Sequence, residues 1–93
     1  MNVLIVHAHP EPKSFTAALR DQAVETLQAQ GHQVRVSDLY QMDWNPVASA
    51  EDFSIRENPE YLVYALEQRR NSKEQTLAAD IQQELDKLLW ADL

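Results

Sequence analysis

The chain has 93 residues, enough for one small hydrophobic core and not for two, because the fraction of surface a chain can bury falls as it shortens. Its 44% hydrophobic and 25% charged residues are ordinary globular usage, while fifteen acidic against eight basic side chains give a formal charge of −7 that repels a phosphate backbone and argues against a nucleic-acid partner. There is no cysteine, which excludes a disulfide framework, a thiolate metal site and a cysteine nucleophile, so redox work would need a bound cofactor.

Val3-Leu4-Ile5-Val6 is a continuous aliphatic run without polar alternation, the pattern of a strand covered on both faces in a parallel sheet. A polar, proline-bearing loop over residues 7–13 follows. Phe15, Ala18, Leu19, Ala23, Thr26 and Leu27 then recur at three- and four-residue steps and predict an amphipathic helix with that set as its inner face. Gly31, the only glycine, stands where this period ends and predicts a left-handed helix terminus. Residues 33–38 alternate with Val34 and Val36 on one side, a second strand, so the first ~40 residues form a βαβ unit, whose crossover is right-handed in nearly all cases.

Residues 39–58 hold turn signals and scattered aromatics without a sustained period. Ser49 and Asp52 have capping-box spacing, and Asn58-Pro59 reads as an N-cap followed by a favourable first-turn proline, so a helix is expected over 59–69. Leu77, Ile81, Leu85, Leu88 and Leu89 predict a further amphipathic helix over 76–90, with its carboxylates on the solvent side. The acidic residues after Glu51 read as solvated helix surface, and Trp44, Trp90, Tyr61 and Tyr64 as packing residues. An alternating α/β pattern demands a third strand after Ala91-Asp92-Leu93, so the expectation is one domain over 1–93 cut before that strand.

The chemistry concentrates in the first loop. Ligands of open parallel sheets sit beyond the carboxyl ends of strands, and the loop from His7 to Ser14 feeds a helix whose free N–H groups, near Ser14, Phe15 and Thr16, would face an anion. A phosphate-bearing cofactor is the expected guest. The loop lacks glycine, which excludes the G-x-G-x-x-G and P-loop signatures. Ser14 can also be read as an N-cap and nothing more. His7 and His9 share a metal-binding spacing, but two imidazoles without a third partner do not make a metal site, and a hydrogen-bond donor at His9 is the preferred role.

The series Val3 to Pro10, Ser14-Phe15, Gly31-His32-Gln33-Val34 and Ser37-Asp38-Leu39-Tyr40, followed by Met42, Trp44, Asn45-Pro46, Ser49 and Asp52-Phe53, resembles the NAD(P)H:quinone oxidoreductases (DT-diaphorase-like) of the flavodoxin-like superfamily. The resemblance runs from Met1 to Leu93 and covers only the N-terminal portion of that family. It implies a doubly wound parallel α/β sheet and a flavin, usually FAD with FMN as the alternative. NAD(P)H would be co-substrate, a quinone the acceptor, and the full-length protein a homodimer. It also implies cofactor-binding roles for His9, Ser14, Phe15 and Thr16. Thr16 departs from the asparagine common in relatives, and Val63 from a flavin-contacting glutamine found in some. Family loops that would hold the isoalloxazine ring and the catalytic residues lie past Leu93, so the 93 residues alone are expected to be inactive.

Two rivals stand beside this reading. Zinc-dependent N-deacetylases also begin with a strand and His-Pro-Asp-Asp, but here His9-Pro10-Glu11-Pro12 puts a proline where the second aspartate would bind metal. The other rival is a non-catalytic remnant or interaction module that uses an exposed sheet edge. No apolar stretch approaches membrane-spanning length and no secretory leader is legible, so a soluble cytoplasmic protein is expected.

Overall fold

The computed structural model describes residues 1–93. The chain forms two compact units, one of residues 1–45 with 87–93 and one of residues 46–86. Strand β1 (Asn2–His7), helix α1 (Phe15–Ala29) and strand β2 (Gln33–Asp38) make the expected βαβ unit, with β1 and β2 parallel and in register from Asn2 opposite Gln33 to His7 opposite Asp38.

Alternation places Val3, Ile5 and His7 on one face with Val34, Val36 and Asp38. α1 covers that face, since Arg20 reaches from the helix to Asp38 at 2.7 Å. The inner side of α1 differs from the expected one. Ala17 is buried, and Arg20, Ala23, Val24 and Leu27 are half-buried, whereas Phe15 (78% exposed) and Leu19 (54%) point outward. Ala23 and Leu27 lie inward as expected, and the rest of the inner stripe is shifted to Ala17, Arg20 and Val24. A charged residue, Arg20, occupies the inner stripe because its guanidinium is satisfied by carboxylates there.

The opposite face carries Leu4, Val6, Arg35 and Ser37. The end of helix α3 (Ala79–Trp90) meets it, with Arg35 stacked 4.3 Å from the centre of the Trp90 ring and Lys87 Nζ donating to Ser37 Oγ at 3.2 Å. Leu88 and Leu89, expected on the inner face of α3, are exposed, because the turn meets the sheet through Lys87 and Trp90. No third strand forms. Leu93 nevertheless pairs with the free edge of β1, its N–H donating to Asn2 O and its carbonyl accepting from Leu4 N–H, the parallel pattern opposite Val3.

α1 ends as its glycine predicts. Gly31 has φ +88°, its N–H reaches Gln28 O at 3.0 Å, and His32 N–H reaches Leu27 O at 3.1 Å, which together make a Schellman motif.

In the other unit, Ser49 and Asp52 close the predicted capping box around a single 3-10 turn at Ala50–Asp52. The following helix, α2, spans Tyr64–Glu74 and not 59–69. Asn58 does not cap it. Its side chain accepts from Glu60 N–H and Tyr61 N–H and closes a local turn, while Glu57 N–H and Asn58 N–H donate to the Glu67 carboxylate. That diversion of backbone donors keeps residues 57–63 out of the helix. Residues 76–78 are likewise extended, since Leu77 bridges Phe53 and Ala78 N–H donates to Asp52 O, so α3 starts three residues later than its apolar pattern suggests.

Glu67 also corrects the reading of the acidic residues as solvated surface. It is 2% exposed, and two backbone N–H groups with Arg56 nearby compensate its burial. Tyr64 behaves as a packing residue, its ring centroid 4.9 Å from that of Phe53 and its hydroxyl donating to Asp52. No helix is long and apolar enough to cross a membrane.

Candidate functional site

Strand β1 delivers the loop after His7 to the carboxyl edge of the sheet, where Leu39 N–H donates to His7 O at 2.9 Å and ties the ends of both strands together. Side chains then shape the loop in steps of two residues. Glu11 N–H donates to His9 Nδ1 at 3.0 Å, and Lys13 N–H donates to Glu11 Oε1 at 2.9 Å. Ser14 N–H closes onto Glu11 O at 3.2 Å, leaving Ser14 extended at the helix start. With Pro10 and Pro12 limiting the backbone, the loop is organised without glycine.

Ser14 is the N-cap of α1, its Oγ accepting from Ala17 N–H at 3.0 Å. Of the three N–H groups expected near the anion position, that of Ser14 is thus used within the loop. The N–H groups of Phe15 and Thr16 have no acceptor in the chain. They lie at the positive end of a fifteen-residue helix whose first turn holds no acidic residue. His9 accepts at Nδ1, so its neutral ring carries the proton on Nε2, and the half-exposed side chain can donate it outward. Two free backbone donors and a helix dipole suit a phosphate group such as a flavin carries.

His7 and His9 also line a cleft of about 970 Å³ between α1 and the carboxyl end of β2, which Ser14, Phe15 and Thr16 do not line. No group of three or more His, Asp or Glu side chains is close enough to hold a metal ion. Arg20 and Asp38, neither singled out from the sequence, organise this cleft. Arg20 Nε meets Asp21 at 3.0 Å and Arg20 Nη1 meets Asp38 at 2.7 Å, and the hydrogen bond that Arg20 donates to Asp21 leads the interactions that raise the Arg20 pKa above its ordinary value. Asp38 Oδ1 accepts from Gln41 N–H at 3.2 Å and shapes the turn carrying Tyr40 and Met42. The signal that could have found this arrangement is the four-residue spacing of Arg20, Val24 and Gln28 on one side of α1.

Comparison with known proteins places this geometry in context. A family described as having a flavodoxin-like fold matches residues 1–93. The chain is 46% identical to the human ribosyldihydronicotinamide dehydrogenase [quinone] over 98% of its own length and 40% of that protein's. It is 42% identical to NAD(P)H dehydrogenase [quinone] 1 of Cavia porcellus, over 97% of its own length and 33% of the relative's. A crystal structure of a Klebsiella pneumoniae protein assigned as a quinone reductase superposes with a TM-score of 0.94 at 42% identity, covering 99% of this chain and 36% of that one. The chain therefore spans about 40% or less of the length of these relatives.

Proposed function

Because this chain belongs to the family with a flavodoxin-like fold, we propose that it supplies the flavin-phosphate half-site of an NAD(P)H:quinone oxidoreductase and forms the N-terminal part of that enzyme's flavodoxin-like domain. The observation that carries the reading is the pair of unpaired N–H groups on Phe15 and Thr16 at the positive end of α1, in the loop that follows the first parallel strand. The named activities of the human and Cavia porcellus relatives support it.

A bound flavin supplies two-electron transfer between NAD(P)H and a quinone. The residues of this chain bind and orient. Ser14 fixes the helix start so that the Phe15 and Thr16 N–H groups converge on one phosphate, and the Glu11 N–H holds His9 in the tautomer that donates from Nε2. FAD is the preferred cofactor over FMN, the quinone is a small molecule, and the whole enzyme is a cytoplasmic homodimer. The 93 residues by themselves bind without turning over, so NADH oxidation in the presence of FAD and a quinone is expected to stay at background.

Flavin titration tests the half-site. FAD should quench saturably on addition of the chain. Phe15→Pro removes one donor while keeping the helix, because proline suits the first helical position and Ser14 before it is already extended at ψ 160°. A hydrogen bond to a charged acceptor contributes about 1.5–3 kcal/mol, so affinity should fall about tenfold or more relative to a Phe15→Ala control. Equal affinity of the two variants would sink the assignment of that N–H.

A further inference from the structure

We propose that the cleft between α1 and the carboxyl end of β2 binds a small organic cation with a flat apolar body, of the arylalkylammonium kind. Of the residues assigned to the flavin half-site, His9 also lines this cleft, whereas Ser14, Phe15 and Thr16 do not. Its volume of about 970 Å³ falls at the upper end of the range typical of small-molecule sites.

The first observation is His7. Its side chain is 5% exposed, lines the cleft, and has no hydrogen-bond partner in the chain. Its ring nitrogens keep contact with solvent through the cleft, since the one fully buried side-chain polar atom without a partner is Arg56 Nε, so a ligand there would take the place of water. An imidazole nitrogen lining a cleft offers a ligand N–H an acceptor that no other group of the chain uses.

Charge is the second observation. The cleft is lined by one cation, Arg20, and three carboxylates, Asp21, Glu25 and Asp38. Arg20 is committed to Asp21 and Asp38, so it cannot act as an anion receptor without giving up a carboxylate, and the lining keeps a formal excess of two negative charges. Glu25 has no ion-pair partner, which leaves it available to an incoming ammonium. An anion entering the same space would meet repulsion.

The third observation is the apolar lining between these groups. Val24 and Val36 face each other across the cleft from helix and strand, while Tyr40 and Met42 line it from the turn that Asp38 holds. Tyr40 is 59% exposed, an open aromatic face able to take a ring or a cation, and the Met42 thioether adapts to a flat partner. An acceptor at the base, carboxylates along α1 and an apolar wall thus select a positive charge attached to a ring.

The test is ligand titration of the isotope-labelled full chain by amide NMR, using three probes that share one ring: benzylamine, benzyl alcohol and benzoate. Benzylamine should saturably shift the amides of Val24, Gln28, Tyr40 and Met42, benzyl alcohol should bind more weakly at the same amides, and benzoate should leave them unmoved. Asp21→Asn and Glu25→Gln, both at exposed positions, should each weaken benzylamine about threefold, as expected for an exposed charge pair, and leave benzyl alcohol unchanged. His7→Phe should weaken both. The proposal is overturned if none of the probes shifts those amides, if benzoate binds as well as benzylamine, or if both carboxylate variants bind the amine like the parent.

Discussion

The two units of this chain are held together in different ways. In residues 1–45 with 87–93, the backbone satisfies itself, through a parallel ladder, a serine N-cap and a glycine C-terminus, and side chains mainly choose which face is inside. In residues 46–86 there is a single antiparallel bridge, and buried polar side chains take over the work of a ladder. The Glu67 carboxylate receives the N–H groups of Glu57 and Asn58, while Asn71 donates to Glu67 O and accepts from the Thr76 hydroxyl. Regular structure tolerates substitution because its hydrogen bonds belong to the backbone. A unit knotted by two side chains concentrates its stability in them.

That contrast can be broken most directly at Asn71, which is fully buried. Asn71→Ala removes the acceptor of the Thr76 hydroxyl and one of the donors to the Glu67 carboxylate from a fully buried position, and is expected to cost about 2–3 kcal/mol, read as a lower urea midpoint. Amide exchange should rise first at Thr76 and Ala78. Uniform loss across β1 and β2 instead would mean that the two units do not differ as described.

Acid sharpens the same comparison. Burial opposes it, but the Asn58 N–H, then the Glu57 N–H, hold the Glu67 carboxyl below its ordinary range, with the charges of Arg56 and Arg70 assisting. A carboxyl whose folded pKa is depressed contributes stability that is complete above its unfolded value and is lost as pH falls through the folded one. Exchange protection at Glu57 and Asn58 should therefore disappear in acid before that of the βαβ unit. Glu67→Gln should be weaker at neutral pH and lack this acid step, and an unchanged acid profile in that variant would remove Glu67 as its cause.

Smaller effects are expected from the regular unit. Ser14→Ala deletes one capping bond and should lower stability by about 1 kcal/mol, while also loosening the helix start that presents Phe15 and Thr16. Gly31→Ala meets no atom within 4 Å of the new Cβ, so only the positive φ resists it, and a loss of about 1–2 kcal/mol should follow, partly recovered by Gly31→Asn. If Gly31→Ala were as damaging as Asn71→Ala, a packing role for that turn would have been missed.

The elements and their order could be read from the residues because the rules involved are local. An aliphatic run, a 3.6-residue period, a serine before a helix and a glycine after it each act through neighbours along the chain. Local rules also gave the helix start at Ser14, with free N–H groups after it, although the loss of the Ser14 N–H to Glu11 O depends on how the loop folds. What tertiary structure alone decided was phase and partnership. Arg20 lies on the inner side of α1 because Asp38, eighteen residues on, waits there, and Asn58 fails to start α2 because Glu67 draws its backbone N–H away. His7 is nearly buried, and it lines the cleft between α1 and β2, because helix and sheet meet beside it. A residue's own type and spacing establish what it can pair with; which partner it meets depends on the free energy of desolvating both groups in one place, and that is set only once the chain has folded.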